Sequence, residues 1–170
     1  MQKSYKPIRR SRELAGLSRE HHDSLLFVWK IRQGISYKTD LTRIAAYCEF
    51  FWETNMKDHF KKEETAVRMV LPAGHPLRTN LLEDHEAIRN KIREVTDEPS
   101  YTGLSRLAQI IYYHVRFEER TLFPHVEQVS TPRQMEELGA LLSDAHSIPE
   151  NWPDEFWVKK KSPNEAALLS

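Results

Sequence analysis

An all-α fold is predicted: an up-down-up-down four-helix bundle with a short fifth helix and a C-terminal tail. Three observations carry this. Apolar residues recur with a helical period in four long segments. Only 5 Gly occur in 170 residues, of which 29% are charged, so a chain of many short strands and tight turns is disfavoured. The breaks between the four segments are short, which sets successive helices antiparallel.

The first segment spans residues 13–33, with Leu14, Leu17, Leu25, Val28 and Ile31 on or near one stripe, and stops at Gly34. Thr39 or Asp40 caps the second, whose inward positions include Leu41, Ile44, Cys48, Trp52, His59, Glu63 and Val67 before Pro72 ends it. A Pro/Gly loop at residues 71–76 leads to the third, with Leu81, Leu82, His85, Ile88 and Ile92, which gives way at residues 97–100. The fourth carries Leu104, Leu107, Ile111, His114, Glu118 and Leu122 and meets Pro124. Thr131 as N-cap, Pro132 at the first helical position and Gln134 completing a capping box start a fifth helix that ends near His146. These boundaries divide the chain into an arm at 1–12, the bundle at 13–128, an additional helix at 129–147 and a tail at 148–170. Trp152, Phe156 and Trp157 are placed to pin that tail, and the lysines at 159–161 read as a solvated run.

Lys+Arg and Asp+Glu are both 25, so the net charge is zero and the cationic excess expected of a nucleic-acid or anionic-membrane binder is missing. No apolar run approaches the ~18 residues of a membrane span, and the N-terminus has no apolar signal core. One cysteine, Cys48, forms no internal disulfide and fits a reducing compartment; the cytoplasm is the expected location.

The eight histidines carry the chemistry. His59 and Glu63 stand four apart on the second helix, and His114 and Glu118 four apart on the fourth, so each pair projects from one helix face. On this composition about one H-x-x-x-E arises by chance, so a single pair says little. A third, His146 to Glu150, is interrupted by Pro149. The two remaining pairs lie in matching blocks, HFKKEE from His59 and HVRFEE from His114, and the stretch around His21 and His22 parallels that around His85. Two helical hairpins, each giving one His from its first helix and a His plus a Glu from its second, would face each other as a two-metal centre. A cation also answers the cost of burying Glu63 and Glu118 at positions the period assigns to the interior. Imidazole and carboxylate donors without a thiolate cluster suit Fe, Mn or Zn. Adjacent residues differ by ~100°, so one of His21 and His22 faces inward; the downstream Leu25 and Trp29 favour His22. The same turn makes Glu64 and Glu119 outer partners or interface groups, while His75, His125 and His146 read as solvent-facing or structural.

With E-H-H on the first helix, H-F-x-x-E-E on the second, E-D-H-E on the third and H-x-x-x-E-E followed by L-F-P on the fourth, the stretch 14–127 resembles the hemerythrin-like (HHE cation-binding) proteins. That resemblance implies a stand-alone four-helix bundle holding two non-haem Fe ions, with Mn or Zn as substitutes, bridged by Glu63, Glu118 and an oxo or hydroxo group. The ligands it implies are His22 or His21, His59, Glu63, His85, His114 and Glu118. The partner it implies is a small diatomic ligand (O2 or NO) or peroxide, bound, sensed or used in iron homeostasis.

Two departures set the chain apart from the oxygen carriers of that family. Leu81 and Arg89 stand where those proteins place a second third-helix His, and Glu118 follows His114 by four residues rather than an Asp by five. A di-iron redox enzyme or iron donor is the alternative, and a metal-free helical interaction module presenting Trp52, Trp152 and Trp157 is a third. The ferritin-like class is disfavoured because no Glu-x-x-His occurs in the chain.

Overall fold

The structure, a computed structural model, describes residues 10–144 and 151–159. All regular structure in these residues is helical, and no helix among them is long and apolar enough to cross a membrane. Four rods form the body. The first is α1 (Ala15–Ser36). The second is α2 (Leu41–Phe51), one π-helical turn (Trp52–Met56) and α3 (Lys57–Val70). The third is α4 (Pro76–Asp97). The fourth is α5 (Tyr101–Phe117), a second π-helical turn (Glu118–Leu122) and α6 (Phe123–Val129). A shorter α7 (Pro132–Leu141) packs against α3.

The caps explain where the rods begin. Asp40 accepts from the Thr42 backbone N–H, Ser100 from that of Gly103, and Thr131 with Gln134 forms the expected reciprocal capping box. His75, expected to face solvent, is instead the half-buried N-cap of α4: its Nδ1 accepts from the Leu77 N–H at 3.2 Å, ahead of Pro76 in the first turn.

Three boundaries differ from the sequence expectation. The first helix continues through Gly34 to Ser36, and the glycine there makes room for Phe156 rather than ending the helix; a Cβ built at Gly34 would stand 2.8 Å from that ring. The fourth rod does not stop at Pro124. The π turn resets the hydrogen-bond ladder, and the proline falls in the first turn of α6, where its missing N–H costs least. The fifth helix ends at Leu141, short of residue 146. His146, Glu150, Lys160 and Lys161 lie outside the described residues.

The two π turns also set the phase of the helices after them. In the second rod the extra residue brings Phe51 and Met56 into the core, leaves Trp52 half-buried, and delivers His59, Glu63 and Val67 to the same inward face. In the fourth it brings both Leu122 and Phe123 inward.

Two apolar clusters sit on either side of a polar middle. One gathers Phe27, Ile31, Ile44, Tyr47, Phe60, Ile88, Leu107 and Ile111; the other gathers Leu14, Leu17, Val67, Leu81, Leu122, Phe123 and Leu138. The segment 151–159 closes over the first. Phe156 is buried there, Trp152 and Trp157 pack against it, and Arg43 grips Asp154 through two contacts of 2.8 and 2.6 Å. Trp52, Trp152 and Trp157 all pack, partly buried, against this core.

Candidate metal centre

Between the two apolar clusters, six polar side chains from four rods meet almost entirely out of water. His21, His59, Glu63, His85, His114 and Glu118 are each between 0% and 5% exposed. Their donor atoms fall into two overlapping groups: His21, His59, Glu63 and Glu118, and then Glu63, His85, His114 and Glu118.

The two carboxylates are shared between these groups, one oxygen to each side. Glu63 Oε1 lies 3.1 Å from His21 Nε2 and 3.3 Å from His59 Nε2, while its Oε2 lies 3.3 Å from His85 Nε2. Glu118 Oε2 lies 3.0 Å from His21 Nε2, while its Oε1 lies 2.9 Å from His114 Nε2 and 3.7 Å from His85 Nε2. Several of these atoms are buried without a hydrogen bond: Glu63 Oε2, His85 Nε2, His114 Nε2 and both oxygens of Glu118. Orphaned polar atoms of this kind are costly in a core unless something else satisfies them. Imidazole nitrogens and carboxylate oxygens converging from all sides are the donor set of a metal ion, so the residues fit the group that the sequence implies.

On the first rod the downstream spacing pointed to the wrong histidine. His21 is turned inward and His22 is exposed. The buried stripe of α1 runs through Leu17, His21, Ser24, Val28 and Ile31, whereas Leu25 is only half-buried and Trp29 is 47% exposed. Leu25 and Trp29, which favoured His22, mark the outer face.

Two phenyl rings support the imidazoles. Phe60 stacks on His85 at 3.7 Å with the planes nearly parallel, and Phe123 stacks on His21 at 5.4 Å. Neither ring was singled out from the sequence. Each is adjacent to a feature that was: Phe60 follows His59, and Phe123 sits within the L-F-P motif.

The metal-free cluster is held by protons. Burial alone would push the His21 and His114 imidazoles down, but Glu118 and the other nearby carboxylates outweigh it and hold both above 6.5. His85, against burial, is raised to about 10 by Glu118, Glu63 and Glu64. In return Glu118 is held well below 4.5 despite its burial, by His114 and His21. Glu64, bonded to His85 and Arg89, falls to about 2, and Glu119, bonded to His21, Ser18 and Arg10 against its burial, also falls to about 2.

A pH dependence of stability results for the metal-free protein. The His85 contribution is full below pH 6.5 and is lost as pH rises toward about 10; the Glu64 and Glu119 contributions are full above pH 4.5 and are lost as pH falls toward about 2. The melting temperature of chelator-treated protein should therefore be highest between pH 4.5 and 6.5 and fall steadily from 6.5 to 10. A flat profile over that alkaline range would contradict this electrostatic picture.

Comparison with known proteins agrees with the site. No curated protein and no solved structure matches the chain. The model of the hemerythrin HHE cation-binding domain matches residues 12–126, a span that contains all six clustered residues and covers well over half of the 170. The chain therefore belongs to the hemerythrin HHE cation-binding domain family.

Proposed function

We propose that this protein is a non-haem di-iron protein whose centre binds or senses O2 or a related small oxidant, NO or peroxide. The observation that carries the proposal is the division of Glu63 and Glu118, each with one oxygen toward the His21 and His59 pair and the other toward His85 and His114. Two carboxylates so shared suit two ions side by side better than one ion. The first ion would be held by His21, His59 and the two carboxylates, the second by His85, His114 and the same carboxylates.

Four donors per ion would complete a tetrahedral zinc site, but they leave iron, which takes more ligands, with positions open to a small molecule. Iron held by these residues would supply redox chemistry toward a diatomic or peroxide ligand. The chain's own contribution is to hold and shield. Glu63 and Glu118 would offset part of the ions' charge, and Phe60 and Phe123 cover the imidazole faces of His85 and His21. Short connections at 37–40, 71–75 and 98–100 support an up-down-up-down order of the rods, and the buried thiol of Cys48 is compatible with a reducing, cytoplasmic setting.

The optical spectrum of the anaerobically reduced, iron-loaded protein tests this reading. A charge-transfer band that appears with O2 and disappears on its removal supports binding. Irreversible oxidation with consumption of peroxide would move the assignment to a redox enzyme, and no response to O2, NO or peroxide would remove the proposal. Alanine variants separate the neighbouring histidines. His21→Ala should lower metal content by about one ion per chain, while His22→Ala and His75→Ala should leave it unchanged, as measured by metal analysis. Equal losses in the His21 and His22 variants would contradict the placement of the first rod.

A further inference from the structure

The inward nitrogens of the four histidines face the carboxylates Glu63 and Glu118, and each outward nitrogen has its own acid. Glu20 Oε2 lies 2.7 Å from His59 Nδ1, Glu64 Oε1 2.9 Å from His85 Nδ1, Asp84 Oδ2 3.3 Å from His114 Nδ1, and Glu119 Oε1 2.7 Å from His21 Nδ1. The order is cyclic. The acid on the first rod meets the histidine of the second, the second meets the third, the third the fourth, and the fourth returns to the first.

We propose that Glu20, Glu64, Asp84 and Glu119 form a closed ring of positioning carboxylates, in which each rod orients the metal-facing imidazole of the next. The proposal rests on the metal reading of the site and extends it outward. An ionised carboxylate only accepts hydrogen bonds, so each Nδ1 carries a proton and each Nε2 is directed to the centre. The sequence positions have a geometric reason. Each acid is the chain neighbour of a residue of the inner cluster, coming before it on rods one and three (Glu20 before His21, Asp84 before His85) and after it on rods two and four (Glu64 after Glu63, Glu119 after Glu118). One step back on a helix pointing up and one step forward on a helix pointing down are rotations of about 100° in the same sense, seen from one end of the bundle. In an up-down-up-down bundle all four acids therefore lean toward the same-handed neighbour, and the ring closes.

The ring is uneven. Glu119 is itself held by Arg10 and Ser18, Glu64 by Arg89 and Arg68, and Glu20 lies 3.9 Å from Lys62. Asp84 makes the longest of the four histidine contacts, and its side chain is 37% exposed. Removing Asp84 should therefore cost least.

The test is anaerobic titration of the metal-free full chain with Co(II), following its visible bands and the bound stoichiometry for the wild type, Glu20→Gln, Glu64→Gln, Asp84→Asn and Glu119→Gln. These amides keep volume and an acceptor oxygen but lose the charge, and far-UV circular dichroism checks the fold. Outer partners of this kind typically contribute ~10–100-fold in metal affinity. The expected result is a loss in that range confined to one half-site. Glu20→Gln and Glu119→Gln should weaken the ion at His21 and His59, and Glu64→Gln the ion at His85 and His114, with Asp84→Asn giving the smallest effect at that second site. A purely structural role would lower thermal stability and weaken both ions together. Wild-type affinity and spectra in all four variants, or equal loss at both half-sites, would overturn the ring while leaving the two-metal reading intact. A wild type that takes up no Co(II) and no Fe(II) would overturn both.

Discussion

Glu118→Gln is expected to reduce bound iron from about two ions per chain to less than one while the metal-free protein still folds. Glu118 gives one oxygen to each histidine pair, so the amide replaces one of the two donor oxygens with an NH2 group and takes the shared negative charge from both half-sites at once. The fold should survive because the imidazoles it faces can shed their protons when the anion is gone, and a neutral buried histidine is far less costly than an unpaired charged one. Glu63→Gln should behave alike, since Glu63 is also fully buried and divided between the two sides. Metal analysis after anaerobic loading, beside circular dichroism of the same samples, reads both parts. Full loading of either variant would contradict a shared carboxylate.

Phe60→Ala is expected to produce the largest loss of stability, about 3–5 kcal/mol, from removing a large buried ring and leaving a cavity. For a chain of this size that corresponds to a fall in melting temperature of roughly 10 °C. The ring is 1% exposed, lies on the face of His85 and meets His114 and Trp52 in T-shaped contacts. Phe60→Leu keeps most of the buried volume but not the stack, so the difference between this variant and the wild type isolates the support of the imidazole, and the further loss in Phe60→Ala measures the cavity. A melting temperature within about 2 °C of wild type for Phe60→Ala would show that the ring contributes little to the core.

Much of the centre was legible in the sequence, because a His and a Glu four residues apart occupy the same helix face as the apolar period around them. That argument placed His59, Glu63, His114 and Glu118 inward, and Leu81 and Ile88 did the same for His85. The first rod was harder, since α1 carries apolar residues on two sides. Leu14 and Leu17 lead to His21, while Leu25 and Trp29 lead to the exposed His22, and only packing shows which side meets the bundle.

The π turns at Trp52–Met56 and Glu118–Leu122 were not legible, because no residue type marks a shift from i+4 to i+5 hydrogen bonding. They decide that Met56 and Phe123 face inward. Pro124 looked like a helix end for the same reason: its effect depends on the ladder it interrupts. Glu64 and Glu119 were expected as outer partners from their ~100° offset, but Glu20 and Asp84 were not. On a chain with 29% charged residues, an acid beside an inward histidine looks like any solvated charge until the neighbouring rod is in place.

The central claim, that six buried side chains from four rods hold a pair of iron ions, is tested most directly by metal identity and stoichiometry. Purified protein, stripped with chelator and reloaded anaerobically with ferrous iron, should bind about two iron ions per chain and resist their removal by gel filtration. No iron bound after such loading, with the helical fold intact, would contradict it.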